Sequence, residues 1–264
     1  MIDVATAVVR PDAARPGRSD VHRARAAGPL RLLCPRAAGN AAWIVTSSLG
    51  GGLVDGDDVA LEVTVDAGAT CVVTTQASTK VYKGRSSQRT SVRVHGDGAA
   101  LVVPDPVVPF RDAQLAQVTR IDLDAASALV LCDVLTAGRV AHGERWSAAS
   151  IDTTLELAVA GTVQLRDRVV LDGDVATRMR RFEALATAVI VGPRLADIAA
   201  AELAKLAESP VARGAPIIVA GSAIAGGALF RLAGERTEAV VAATRAILSA
   251  PCNRLGEDPW SRKW

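Results

Sequence analysis

The stretch VTVDAGATCVV, residues 63–73, decides how the rest of the chain is read. Val63 and Val65 alternate with Thr64 and Asp66, the period of two that buries one face of a strand and wets the other. Asp66, Ala67 and Gly68 then interrupt the run with residues that turn a backbone at low steric cost, and a second β-like run follows. The same order returns in VRVHGDGAALVV (92–103) and IDLDAASALVL (121–131). Gly68, Gly98 and Ser127 mark the turns, at spacings of 30 and 29 residues. A looser fourth copy, LELAVAGTVQL (155–165), carries Gly161 in its turn. Strand, small-residue turn and strand in succession predict hairpins stacked into layered sheets, a mainly β architecture with a repeat of about 30 residues.

Upstream of the first copy, SSLGGGLVDGDD (47–58) gathers Gly51, Gly52 and Gly56 among Asp55, Asp57 and Asp58, a structural turn leading into the alternating strand 59–65. A phosphate cradle is disfavoured here. Neither nucleotide-binding glycine signature is present, and the glycines lead into a strand rather than a helix N-terminus. Beyond Arg181 the texture changes. Residues 186–191 and 216–220 read as short buried strands, and helices are expected near 195–207 and 236–249, the second ended by Pro251. No linker divides the chain, so the expected organisation is a basic, poorly ordered arm over 1–27 and a single mostly β domain over 28–264.

With 50% hydrophobic and 22% charged residues, the composition is that of a folded chain. The net charge is only +2, yet residues 1–36 hold seven arginines against three aspartates, so the basicity belongs to one end. No apolar run approaches the ~20 residues needed to span a bilayer and no leader pattern precedes the first strand, so a cytoplasmic location is expected. Cys34, Cys71, Cys132 and Cys252 are scattered, which favours reduced, buried thiols over disulfides or a zinc site. His22, His95 and His142 are isolated, no nucleophile elbow surrounds Ser47 or Ser48, and the Asp55–Asp58 run lacks the closing glutamate of a calcium loop. His142 and Glu144 could supply an acid or a ligand, but solvated loop residues are the commoner outcome.

The harder segment is TTQASTKVYKG (74–84), a dense run of hydrogen-bonding side chains followed by the chain's single tyrosine, Tyr82. Beside buried strands such side chains need partners, and an interior polar channel or a protein interface would supply them.

Gly51-Gly52-Leu53-Val54, Asp55-Gly56-Asp57 and, about twenty residues on, Thr74 through Tyr82 resemble the urease accessory protein D family, which typically reads GGLVGGD and then LTTQAATKVYR. Gly28-Pro29-Leu30, Pro109-Phe110, Gly138-Arg139 with Gly143-Glu144, and a closing helix and tail over 248–260 match in order. Asp55 and Ser78 depart from the family's usual glycine and alanine. The resemblance implies a non-catalytic maturation factor of mostly β fold. It implies binding to the urease apoprotein and recruitment of urease accessory protein F and the accessory GTPase G, with dimerisation in that complex open. It also implies an internal tunnel that conducts nickel, with no tightly bound cofactor and only transient nickel(II), and no nucleic-acid or membrane partner. By matching position, Thr75, Gln76, Thr79, Lys80 and Tyr82 are the candidates for lining that tunnel or an interface, with Asp57 and Glu144 as candidate carboxylate contacts. No metal-ligand set is assigned. An enzyme using the Gly/Asp turn, and a generic β-rich binding module whose basic arm meets an anionic partner, are the competing readings.

Overall fold

A computed structural model describes residues 4–36 and 39–261. In chain order the strands are β1 (Val4–Pro11), β2 (Ser19–Arg25), β3 (Leu30–Leu33), β4 (Ala42–Ser48), β5 (Asp58–Val65), β6 (Thr70–Thr75), β7 (Thr79–Val81), β8 (Gly84–Val94), β9 (Ala99–Val102), β10 (Val107–Pro109), β11 (Ala113–Leu123), β12 (Ala128–Thr136), β13 (Ser150–Val159), β14 (Thr162–Asp172), β15 (Ala184–Val191), β16 (Ile217–Ile224) and β17 (Gly227–Gly234). Three helices, α1 (Val175–Met179), α2 (Ala196–Ala207) and α3 (Thr237–Arg254), fall in the last third. The chain is mainly β, as its alternation and turns predict.

The repeat is present, but its two strands do not form hairpins. β5, β8 and β11 stack in parallel in a seven-stranded sheet of order β14-β13-β11-β8-β5-β1-β2. β6, β9 and β12 stack in parallel in a second sheet, ordered β16-β17-β15-β12-β9-β6-β4-β3, with β7 and β10 attached. Each small-residue turn is therefore an arch from one sheet to the other. The physical reason is that the two strands of a repeat bury their inner residues against each other across the sandwich, so the turn spans the gap between sheets. Alternation of period two is the same in an arch and a hairpin. The looser fourth copy is a true hairpin, with β13 and β14 antiparallel around Gly161.

Register follows the repeat length. Val63, Val92, Ile121 and Leu157 form one row of the first sheet. Cys71, Ala100, Leu129 and Val191 form a row of the second, and the two rows share one core. The arches are tied to one another, since Gly68 N–H donates to Asp97 Oδ1 (2.7 Å) and Gly96 N–H to Asp124 Oδ2 (2.8 Å). Arches in register hold strands in register.

The second sheet is covered twice. Its outer face, including Trp43, Leu101, Val130 and Phe230, packs under Leu195 and Ala199 at α2 and Val240 and Leu248 of α3. That double burial explains why β9 is buried at every residue and shows no polar alternation. The first sheet keeps a wet face laced by ion pairs such as Arg166–Glu156 and Arg168–Asp152.

Three expectations change. Residues 4–11 and 19–25 are strands rather than a poorly ordered arm: Ala5, Ala7 and Val9 are buried and β1 runs parallel to β5, because an alternating apolar run outweighs the flanking arginines and prolines. Pro251 lies inside the last turn of α3, which continues to Arg254 with Pro251 and Cys252 buried against the sheet. Cys34 is exposed, whereas Cys71, Cys132 and Cys252 are buried thiols.

Candidate functional site

Toward one end of the sandwich the inward rows turn from apolar to polar. Along β8 the inner positions read Val94, Val92, Thr90, Gln88, and along β11 they read Leu123, Ile121, Thr119, Gln117. The parallel register sets Thr90 beside Thr119 and Gln88 beside Gln117. Across the gap, β6 ends at Thr75 and β12 presents Asp133 after Leu129 and Leu131. These side chains line a cavity of about 260 Å³ between the sheets.

Its oxygens and amides are linked. Gln88 Nε2 donates to Gln117 Oε1 (2.5 Å), and Gln117 Nε2 donates to Asp133 Oδ2 (2.5 Å). Thr75 Oγ1 donates to Asp105 Oδ2 (3.0 Å) while accepting from Asp105 N–H (2.7 Å). A third carboxylate, Asp167 of β14, faces the same space and pairs with Arg231 of β17 (2.7 Å). Asp133 lines the cavity and keeps only partial exposure. Burial pushes its carboxyl up to about 6, against the opposing hydrogen bonds from the Gln117 side chain and the Val134 backbone. It therefore ionises just below neutral pH. Among the described residues no three His, Cys, Asp or Glu side chains converge as a metal cage. The carboxylates are instead distributed singly along the cavity.

The candidates from the sequence divide between two places. Thr75, Gln76 and Thr79 line the cavity, with Gln76 exposed near the Ser47–Ser48 side of it. Lys80 is exposed and does not line it. Tyr82 and Glu144 belong to an outer cluster. Tyr82 meets Phe110 edge-on at 5.0 Å, the Arg139 guanidinium lies 4.2 Å over the Phe110 ring, and Arg139 grips Glu144 through Nε (2.9 Å) and Nη2 (2.5 Å). Arg139 holds the Glu144 carboxyl below its ordinary value. Asp57 closes the glycine turn, accepting from Val54 N–H at 2.8 Å.

The glycines do close-approach work. Leu53 N–H donates to Lys80 O and Tyr82 N–H to Leu53 O, both at 2.8 Å, so the glycine turn and the TTQASTKVY segment lie side by side. A Cβ on Gly52 would sit 2.4 Å from Lys80 O and 2.8 Å from Tyr82 Cε2. Gly52→Ala is expected to cost roughly 1–3 kcal/mol through forced backbone displacement, measured as a fall in the urea midpoint. Gly51 and Gly56 instead supply positive φ, at 73° and 86°. Sequence reasoning missed Gln88, Gln117, Asp105, Asp133 and Asp167. The one available signal was that Gln88 and Gln117 are 29 residues apart, the repeat length, at positions where the pattern demands apolar residues.

A family model described as "UreD urease accessory protein" matches residues 5–264. The chain belongs to the UreD family. This UreD chain is 40% identical over 254 residues to "Urease accessory protein UreD" of Sorangium cellulosum, covering 94% of the chain and 81% of the relative. It is 38% identical over 253 residues to the protein of the same description in Anaeromyxobacter sp., covering 93% and 85%. "Urease accessory protein D" of Oryza sativa subsp. indica is 35% identical over 206 residues, 74% of the chain and 67% of the relative.

Proposed function

We propose that this UreD-family chain is a non-catalytic urease maturation factor that binds the urease apoprotein, recruits accessory protein F and the accessory GTPase G, and passes nickel between its two sheets. The observation that carries the reading is the line of cavity groups from Thr75 and Asp105, through Gln88, Gln117 and Asp133, to Asp167. An apolar sandwich gains no stability from a buried carboxylate, because desolvation opposes ionisation. The cost has a purpose if a cation must enter a protein interior. Conduction needs several weak oxygen sites in series rather than one tight cage, so that the ion also leaves. Single carboxylates spaced around the cavity, one of them bonded to the Gln88–Gln117 pair, meet that need.

The outer cluster of Tyr82, Phe110, Arg139 and Glu144, with Lys80 beside it, suits a partner surface, since aromatic and arginine side chains supply most binding energy at protein interfaces. No described helix is long and apolar enough to cross a membrane, and we assign the work to the cytoplasm. A tagged chain expressed with a urease operon should recover urease subunits, accessory protein F and the GTPase from lysate. Recovery of none of them during active maturation would overturn the reading.

A further inference from the structure

At its far side the cavity meets an ion pair that joins the two sheets. Arg231 sits on β17 in the row Asp133, Thr187, Arg231 of the second sheet. Asp167 sits on β14 in the row Thr90, Thr119, Leu155, Asp167 of the first. Arg231 Nη2 lies 2.7 Å from Asp167 Oδ1, across 64 residues of sequence. The two ends differ in exposure. The Asp167 side chain is 11% exposed and lines the cavity, whereas that of Arg231 is 50% exposed. The pair thus marks a rim where the polar interior reaches solvent between β14 and β17.

Resting on the cation-transit reading, we propose that Arg231 is an exchangeable cationic plug at this rim. Its guanidinium neutralises Asp167 until a divalent cation arriving from Asp133 takes the carboxylate in its place. Three properties support the exchange. A half-exposed arginine is held weakly, because solvent screens the pair and the long side chain regains freedom when released. A dication carries twice the charge of the guanidinium onto the same oxygen. Asp167, largely buried, cannot be left bare, so release of Arg231 is tied to arrival of another cation. Asp133, by contrast, takes its side-chain hydrogen bond from neutral Gln117. The rim residue therefore sets how firmly the cavity holds a cation and how readily the cation leaves on that side.

Calorimetric titration of the full chain with nickel(II) at pH 7.5 tests this. Arg231→Met, which keeps the apolar stem, and Arg231→Gln should each tighten nickel binding about tenfold by removing the competing charge. Arg231→Lys should stay within about twofold of the parent, since the charge remains. Asp133→Asn should weaken binding in every background. If Asp133→Asn leaves nickel affinity unchanged, the transit reading itself fails. If Asp133→Asn weakens binding but whichever of Arg231→Met and Arg231→Gln folds leaves the affinity unchanged, the plug alone is overturned. A purely structural clasp would lower the melting temperature in all three Arg231 variants without separating lysine from the neutral residues. Should neither neutral variant fold, the parent chain and Asp167→Asn decide: competition between nickel and added guanidinium ion for the parent chain should be measurably stronger than for Asp167→Asn, and equal competition in both overturns the plug.

Discussion

Asp133→Asn is expected to make the chain more stable at pH 7.5 and less able to support nickel-dependent urease activation. In the folded chain the Asp133 carboxyl titrates at about 6 instead of the ordinary 3.8. Between those two pH values the folded state keeps a proton that the unfolded state has lost, so stability falls as pH rises through that window. Above it the ionised, desolvated carboxylate costs up to about 3 kcal/mol, at 1.36 kcal/mol per pH unit of displacement. Asparagine removes the charge and retains an oxygen to accept from Gln117 Nε2. At pH 7.5 the variant should melt roughly 5–10 °C higher, and the gain should vanish below about pH 4. Urease activated in its presence should fall sharply at limiting nickel. Opposite signs for stability and activity mark a residue kept for function. Melting scans from pH 4 to pH 8 check the first half, and urease assays against nickel concentration the second.

Trp43→Ala should destabilise the fold strongly, at a cost of about 3–5 kcal/mol. Trp43 is 2% exposed on the outer face of the second sheet, inside the core shared with α3. Its Nε1 donates to Glu257 Oε2 at 3.4 Å, and Glu257 Oε1 also accepts from Ala41 N–H at 2.7 Å. Truncation opens a cavity and removes a partner from a buried carboxylate in one step. Urea denaturation should show a lower midpoint with an unchanged slope, and Trp43→Phe should recover much of the loss. An Asp133→Asn-like gain would not appear here at any pH, because the Trp43 site lies on the opposite face of the sheet from the cavity.

The repeat was legible because arch-to-arch spacing and strand alternation are both written locally, in Asp66 through Gly68 and its copies. Which strands pair was not legible. A turn of two to five small residues closes a hairpin at Gly161 and an arch at Gly68, and only the burial of β5 against β6 decides between them. The strands of the first 25 residues were hidden for a related reason: arginines and prolines in the loop and on the edge strand dominate the composition, while Ala5, Ala7 and Val9 carry the burial. For the site, Thr75, Gln76 and Thr79 were accessible as a polar run at a strand end. Gln88 and Gln117 were accessible through the repeat. Asp133 sits inside ALVLCDVLT, where its neighbours say only that the strand is buried. Asp167 and Arg231 meet from different sheets, and no local pattern could join them.

The most direct test of the transit reading is an anomalous difference map at the nickel edge from crystals of the chain soaked in nickel salt. A peak is expected between the two sheets, within bonding reach of Asp133 or Asp105. A map without a peak in that cavity would contradict it.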